Sequence, residues 1–300
     1  MPSLRQKLTA LITRRYPFYS GCGSFANSKL VRILSGSKGA KTWCKISGGV
    51  ILADLDDYVG RASYFTGDLD RKITWICKKI VRDRDTVLDI GANIGMVTVL
   101  LSDLVGNEGR VLSFEPNPVL CNDLEETIQR NKLSNVIFFP IALGPKVTHI
   151  ELSVPRGNAG AGSLVRNKNN NHCDTHMVEV RPLDHICEDK KITSIRLIKI
   201  DVEGFESDVF LGAEKILSII KPDSILFELN ERTTDNFCDE PIINMLDRFG
   251  YDFMQIPKSL IRMRLRKIDL NNKNVTGNDF LAAPRGKVFN EISQLVKAID

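Results

Sequence analysis

An α/β fold with a doubly wound, mostly parallel sheet is predicted by three features of this 300-residue sequence. Short apolar runs alternate with helix-length stretches from Asp85 onward, a glycine-containing turn joins the first run to the first helix, and the connections are long enough to be crossovers. Strands linked in this way run parallel, with helices on both faces.

The elements follow in order. TVLDIG (86–91) reads as a buried strand, MVTVLLSDLVG (96–106) as a helix stopped by glycine, and RVLSFEP (110–116) as a second strand. PVLCNDLEETIQRNKL (118–133) places Val119, Leu120, Leu124 and Ile128 at helical spacing behind a proline suited to a first turn, and NVIFFPIALG (135–144) reads as a third strand. IRLIKIDVEG (195–204), a helix over 205–220, SILFELN (224–230), the helix PIINMLDRFG (241–250) and YDFMQIP (251–257) continue the series. NDFLAAP (278–284) is the seventh strand, inserted antiparallel as the last one. RMRLRK (262–267) alternates basic residues and is expected to be a solvated edge or connection, with contact to an anionic substrate as the lesser option.

Two segments depart from this rhythm. THIELSV (148–154) and HMVEVRPLDHI (176–186) alternate with period two, which predicts a β-hairpin inserted at about 145–186. Its tip, 155–175, is rich in Gly and Asn and is expected to be a solvated loop, with a substrate lid as the alternative. Residues 1–84 read as an N-terminal cap on the domain 85–300, with a small hairpin within 48–67 and an amphipathic helix over 68–81. The opening segment predicts a short helix with Leu4, Leu8, Leu11 and Ile12 on one face and Arg5, Lys7, Arg14 and Arg15 elsewhere. Packing on its own domain is expected; weak contact with a membrane surface is the alternative.

With 41 basic and 37 acidic residues, the charge is too balanced to require a polyanion, so nucleic acid is an unlikely partner. Seven cysteines without a CxxC pair argue against a disulfide framework or a zinc cluster and for a reducing, cytoplasmic setting. No apolar run reaches the roughly 18–20 residues that span a bilayer, so no transmembrane segment is expected.

The turn DIGANIG (89–95) opens a helix at the carboxyl end of a strand, where free backbone N–H groups and close-approach space are expected to hold a ligand. Its G-x-N-x-G spacing departs from the dinucleotide fingerprint, and it lacks the lysine of a triphosphate loop. Asp89 argues further against phosphate, since two charges about 4 Å apart interact by about 1–4 kcal/mol in high to intermediate dielectric. A cationic ligand is expected instead, and S-adenosylmethionine, with its ammonium and sulfonium, is one. Glu115 ends the second strand 20 residues after Gly95, where a carboxylate can accept both ribose hydroxyls.

These segments, with FEPNP (114–118), ALG (142–144) and above all IKIDVEGFE (198–206), resemble the FkbM-type S-adenosylmethionine-dependent methyltransferases over about residues 48–232. The resemblance implies a Rossmann-like seven-stranded sheet and, mostly, O-methylation of hydroxyls on polyketide-like, glycan or other small-molecule acceptors. It implies that Asp89, Gly91, Ala92, Asn93 and Gly95 cradle the methionine part, that Glu115 binds the ribose and that Asn117 lies near the adenine edge. Ala142 and Leu143 would wall the adenine, and Asp201 would face the methyl-transfer site. GDLD (67–70) stands where the family often has a Gly-x-Tyr-Glu type segment.

Methyl transfer to oxygen needs alignment and is helped by a base. Asp201 is the first candidate for base or orienting group, with contact to the methionine ammonium or helix capping as the alternative. Glu203 lies close by in sequence, His172 lies in the Asn-rich tip and His176 beside it, and His149 and His185 are further imidazoles. Lys199 is expected to form an ion pair with Asp201. Asp201, Glu228 and Asn230 could bind Mg²⁺, although structural contacts are preferred and no metal is assigned. The competing classes are a nicotinamide-linked or nucleotide-sugar Rossmann enzyme, disfavoured by Asp89 and the turn spacing, and a non-catalytic interaction module, disfavoured by the intact motifs. The sequence leaves the oligomeric state open.

Overall fold

A computed structural model of the chain describes residues 1–36, 39–155, 159–164, 173–229, 236–258, 261–270, 275 and 277–299. The chain begins with three helices, α1 (Leu4–Thr13), α2 (Cys22–Ala26) and α3 (Lys29–Ser35), then the hairpin β1 (Lys41–Ile46) and β2 (Gly49–Asp54). Two more helices follow, α4 (Tyr58–Thr66) and α5 (Arg71–Ile80). The alternating series is β3 (Thr86–Ile90), α6 (Met96–Val105), β4 (Arg110–Phe114), α7 (Pro118–Asn131) and β5 (Val136–Phe139). A separate three-stranded sheet holds β6 (Ala142–Leu143), β7 (Thr148–Pro155) and β8 (Cys173–Arg181) in the order β6-β8-β7. The remainder is α8 (Leu183–Asp189), β9 (Leu197–Ile200), α9 (Glu206–Leu211), β10 (Ile225–Glu228), α10 (Pro241–Arg248), β11 (Tyr251–Gln255), β12 (Arg266–Lys267), β13 (Asp279–Pro284) and α11 (Lys287–Leu295).

Among the described residues, the main sheet has eight strands in the order β12-β11-β13-β10-β9-β3-β4-β5, with β13 antiparallel to both of its neighbours. The extra strand over the expected seven is β12, a two-residue edge paired with Met254 and Gln255. It comes from RMRLRK: Met263 and Leu265 turn into the core while Arg266 and Lys267 stay exposed, and charge on a short edge discourages further pairing.

Three expected elements end differently, each for a local reason. The run 135–144 splits at Pro140, which has no N–H to donate, so β5 stays in the main sheet and β6 joins the inserted one. Pro182 likewise ends the alternating pattern and stands at the N-cap of α8. The helix expected over 205–220 breaks at Gly212, followed by a π-turn over Ile216–Ile220. A Cβ at Gly212 would stand 2.3 Å from the Gly144 carbonyl oxygen, so only glycine permits this crossing.

Alternation along the central strands divides the core. Leu88, Ile90, Ile198 and Ile200 face one apolar cluster, and Val87 and Leu197 face the other. The β1–β2 hairpin is held on α7 through Asn131, whose side chain bonds both the N–H and the carbonyl of Val50. A third cluster joins Ala10, Ile51 and Phe65 of the N-terminal segment to Ile94, Val99 and Leu120, so that segment shares its core with the sheet domain. Helix α1 packs through Gln6, Thr9, Ala10 and Thr13, which are buried, whereas Leu4, Leu8, Leu11 and Ile12 are exposed. The helix thus lies on its own domain, but by the face opposite to the apolar one. Among the described residues, no helix is long and apolar enough to cross a membrane.

Candidate active site

Strand β3 has β4 on one side and β9 on the other, so the winding direction reverses between β3 and β9. The carboxyl ends of strands at such a reversal leave a crevice between diverging connections. Here a cavity of about 250 Å³ opens, walled by the turn after β3, the end of β4, the 141–143 segment and the 201–205 segment.

The turn is wired internally. The N–H groups of Gly91 and Ala92 donate to the Phe114 carbonyl, that of Asn93 to Glu115 Oε2, that of Ile94 to Asn93 Oδ1 and that of Gly95 to the Ala92 carbonyl. The free N–H cradle expected from the sequence is therefore absent from residues 91–95. Gly91 has φ +77°, and a Cβ there would stand 1.8 Å from the Asp201 carbonyl oxygen, so the β3 and β9 ends approach as closely as backbone allows. Gly95 caps α6 and packs on Leu124, away from the cavity.

Asp89 does not lie on the cavity wall. It is fully buried beneath the turn and directly opposite both Lys199 and Ser113 in the sheet register. Its Oδ2 accepts from Thr98 Oγ1 at 2.6 Å, Thr98 Oγ1 lies 2.9 Å from Ser113 Oγ, and its Oδ1 is 3.4 Å from Lys199 Nζ. Burial pushes the Asp89 carboxyl up, against the pull of Lys199 and Thr98. Burial alone would lower Lys199, but Asp89 and Asp201 outweigh it and keep the ammonium charged. The repulsion expected between Asp89 and a phosphate loses its basis, because Lys199 compensates that charge. The N–H groups of residues 91–95 are engaged within the protein, so the turn itself offers no amide cradle for a phosphate.

Lys199 also donates to the Gly91 carbonyl at 2.6 Å and reaches Asp201 Oδ2 at 3.6 Å. The expected ion pair with Asp201 is present, and Lys199 additionally bolts the turn to β9. Asp201 lines the cavity with its side chain half exposed. Glu203, in a left-handed conformation with φ 50°, opens at the same wall. Partial desolvation in the cleft, with Asp201 and Glu206 nearby, pushes Glu203 up to about 7.

Glu115 is 6% exposed, and each of its oxygens accepts one backbone N–H, from Asn93 at 2.8 Å and from Asn117 at 2.9 Å. Each oxygen keeps a further lone pair for a ligand hydroxyl. Burial pushes Glu115 up to about 7 despite those two bonds. Asn117 lines the cavity, but its amide is engaged: Oδ1 caps α7 through the Val119 N–H and Nδ2 donates to the Ala159 carbonyl. Ala92, Asn93, Ala142 and Leu143 also line the cavity, beside Phe114 and Ile141.

The opposite wall comes from regions whose residues the sequence left unassigned. Tyr58 and Val59 of α4, Leu69 and Asp70 of the GDLD segment, and Ile73 and Thr74 of α5 line it. Ala159 and Gly160, within the hairpin insertion, complete it above Asn93. This insertion is tied down at both sides: the Ala159 N–H donates to Asp57 Oδ1 at 2.8 Å, and its carbonyl accepts from Asn117.

The remaining candidates lie elsewhere. His176 stands on β8 opposite Leu152; Leu152 lines the cavity and His176 does not. His149 and His185 are exposed and off the wall. Glu228 is pushed up to about 7 by burial and by Asp201 and Asp279, and it too is not on the wall. His172 and Asn230 lie outside the described residues. Among the described residues, no three His, Cys, Asp or Glu side chains converge as metal ligands.

The donor set suits a cationic, hydroxyl-bearing ligand. Among the described residues, Asp70, Glu115, Asp201 and Glu203 line the cavity with carboxyl groups and Lys199 alone with an ammonium, and apolar Phe114, Ile141 and Leu143 offer a slot for a flat ring. S-adenosylmethionine, with its ribose hydroxyls, ammonium and sulfonium, is a ligand with these properties.

Comparison with known proteins identifies the family. A 26% identical stretch of 149 residues relates the chain to "Methyltransferase 1" of Beauveria bassiana, covering 44% of this chain and 59% of that one. The "2-O-methyltransferase NoeI" of Sinorhizobium fredii is 29% identical over 147 residues, 44% of this chain and 58% of the relative. The chain thus spans somewhat under three-fifths of the length of these curated relatives. Among solved structures, a methyltransferase FkbM from Methylobacillus flagellatus aligns at TM-score 0.42 and 16% identity, over 75% of this chain and 53% of that one. Residues 89–253, more than half of the chain, match the FkbM methyltransferase domain, and the protein belongs to that family.

Proposed function

We propose that the protein is an S-adenosylmethionine-dependent O-methyltransferase acting on a hydroxyl of a small-molecule, polyketide-like or glycan acceptor. The observation that carries this reading is the contrast at the cavity: the N–H groups of residues 91–95 are engaged within the protein, while Glu115, Asp201 and Glu203 line the cavity with carboxyl groups. Such a wall favours a cation and disfavours a pyrophosphate. The name of the 2-O-methyltransferase relative supports oxygen as the acceptor atom.

When bound, the donor supplies an electrophilic methyl group on a sulfonium. Glu115 accepts the ribose hydroxyls, and the Ala142 and Leu143 side wall holds the adenine. Asp201 would orient the acceptor hydroxyl and take its proton, with Glu203 beside it as the second proton acceptor; transfer would exchange the donor's carbon–sulfur bond for a carbon–oxygen bond and leave S-adenosylhomocysteine. Lys199 sets the height of the Asp201 carboxylate and the Gly91 carbonyl, and Asp89 acts only through Lys199, as a positioning residue. The apolar side chains of α4 and α5 and the Ala159–Gly160 segment keep water from the reacting oxygen.

The test is a screen of hydroxylated glycans, polyketide-like alcohols and matched amines with methyl-labelled donor. Label should appear as an ether on an alcohol acceptor, and Asp201→Asn should lower turnover about 10²- to 10⁴-fold with a smaller change in donor affinity. Label confined to amines, or an Asp201→Asn variant with unchanged turnover, would overturn the assignment.

A further inference from the structure

We propose that the exposed face of helices α1 and α3 is a docking surface for an anionic lipid bilayer, holding the enzyme at a membrane without a spanning segment. Nine of the sixteen large apolar side chains exposed among the described residues fall within residues 1–43. Leu4, Leu8, Leu11 and Ile12 of α1 and Leu30, Ile33 and Leu34 of α3 are between 45% and 73% exposed. The spacing of the α1 set puts all four on one stripe, while the small and polar side chains of the opposite stripe are buried against the domain. Helix α3 lies alongside, and the Arg5 guanidinium donates to the Ile33 and Leu34 carbonyls at its carboxyl end. The two exposed apolar sets thus lie on neighbouring helices held to each other. Apolar surface gathered in this way on a globular protein marks a contact.

Charge decides what makes that contact. The first 53 residues carry nine Lys and Arg and no Asp or Glu, so the rest of the chain has a formal charge of −5 and the whole positive excess sits in this segment. Lys7, Arg15, Lys29 and Lys45 are exposed or half-exposed, and none has a carboxylate partner among the described residues. A shallow groove beside α1 is lined by Lys7, Leu11, Arg14, Trp43 and Lys45, the residue types that settle at the level of lipid headgroups. A two-fold contact with a second copy would bring these cations onto one another. A nucleic acid would leave the leucines and isoleucines in water. An apolar stripe rimmed by cations fits acyl chains below anionic headgroups.

The inference is independent of the methyl-transfer reading and is tested without it. The full chain is sedimented with vesicles of phosphatidylcholine alone and with vesicles in which roughly one-quarter is phosphatidylglycerol. It should pellet with the anionic vesicles at low salt, about tenfold or more weakly with the neutral ones, and progressively less as salt is added. The triple variant Leu8→Glu, Leu11→Glu, Ile12→Glu should stay in the supernatant with an unchanged thermal melt. If that variant melts early, Lys7→Ala with Arg15→Ala serves instead and should weaken anionic binding severalfold. Failure of the wild-type chain to pellet with either vesicle would overturn the proposal, as would variants that bind like wild type. So would a concentration-dependent dimer in equilibrium sedimentation that Leu11→Glu dissociates.

Discussion

The sheet-end wall of the cavity and the wall supplied by the N-terminal cap and hairpin insertion hold their polar groups in different ways. At the sheet end, Asp89, Lys199, Thr98 and Ser113 form a buried chain across three adjacent strands, and the turn's N–H groups are bonded within the protein. On the other wall, Tyr58, Val59, Leu69 and Ile73 present mainly apolar surface, joined to the insertion through the Asp57–Ala159 hydrogen bond. Under the proposed function, the difference separates two tasks. A pre-wired polar wall fixes one invariant ligand with little reorganisation, whereas an apolar wall on short helices selects an acceptor by shape.

The largest effect should come from breaking the buried chain. Lys199→Met leaves Asp89 without a cation and should lower the unfolding free energy by about 3–5 kcal/mol in urea titrations, with partial recovery when Asp89→Asn is added. A loss below about 1 kcal/mol would mean that the sheet-end wall is not wired as described. Glu115→Ala should follow, weakening donor binding by about 1.5–3 kcal/mol, or roughly 10- to 150-fold by calorimetry, because a charged acceptor of hydroxyl bonds is lost. Glu115→Gln, which keeps one acceptor, should lose less.

Acidity offers a gentler test. Glu115 and Glu203 are both pushed from 4.5 up to about 7 in the folded chain. The folded protein therefore binds more protons than the unfolded one between those values, and stability without ligand should fall as pH rises from about 4.5 to 7. A cationic donor favours the ionised carboxylates, so its affinity should rise over the same window and level off above it, with proton release detectable in buffers of different ionisation enthalpy. A melting temperature that rises with pH throughout that window would contradict the upward shift of these groups. The smallest effect belongs to the apolar wall: Leu69→Ala should raise the acceptor KM within about tenfold and leave donor affinity unchanged. A matching loss of donor affinity would dissolve the division between the walls.

Much of the sheet-end wall was legible because its residues obey rules that act locally. Continuous apolar runs place β3, β4 and β9 in a sheet covered on both faces, and a turn with φ +77° at Gly91 announces itself by glycine. The Asp89–Lys199 pair could have been found too. TVLDI and LIKI each carry one charge of opposite sign at the penultimate position, and two buried parallel strands with such charges in register must pair them. The opposite wall was not legible, because Leu69, Asp70 and Ala159 meet only through tertiary packing of segments about 90 residues apart, and no periodicity records that meeting. The burial of α1 by its polar stripe also defied the pattern. Amphipathicity identifies the apolar face of a helix, but not whether the domain or something outside it covers that face.

The central claim is that the cavity was built for a cationic methyl donor, and titration calorimetry of the wild-type chain with S-adenosylmethionine, S-adenosylhomocysteine and NAD tests it most directly. The account predicts saturable binding of the first two, proton release with the donor near neutral pH, and no heat with NAD. Saturable binding of NAD alone would contradict it.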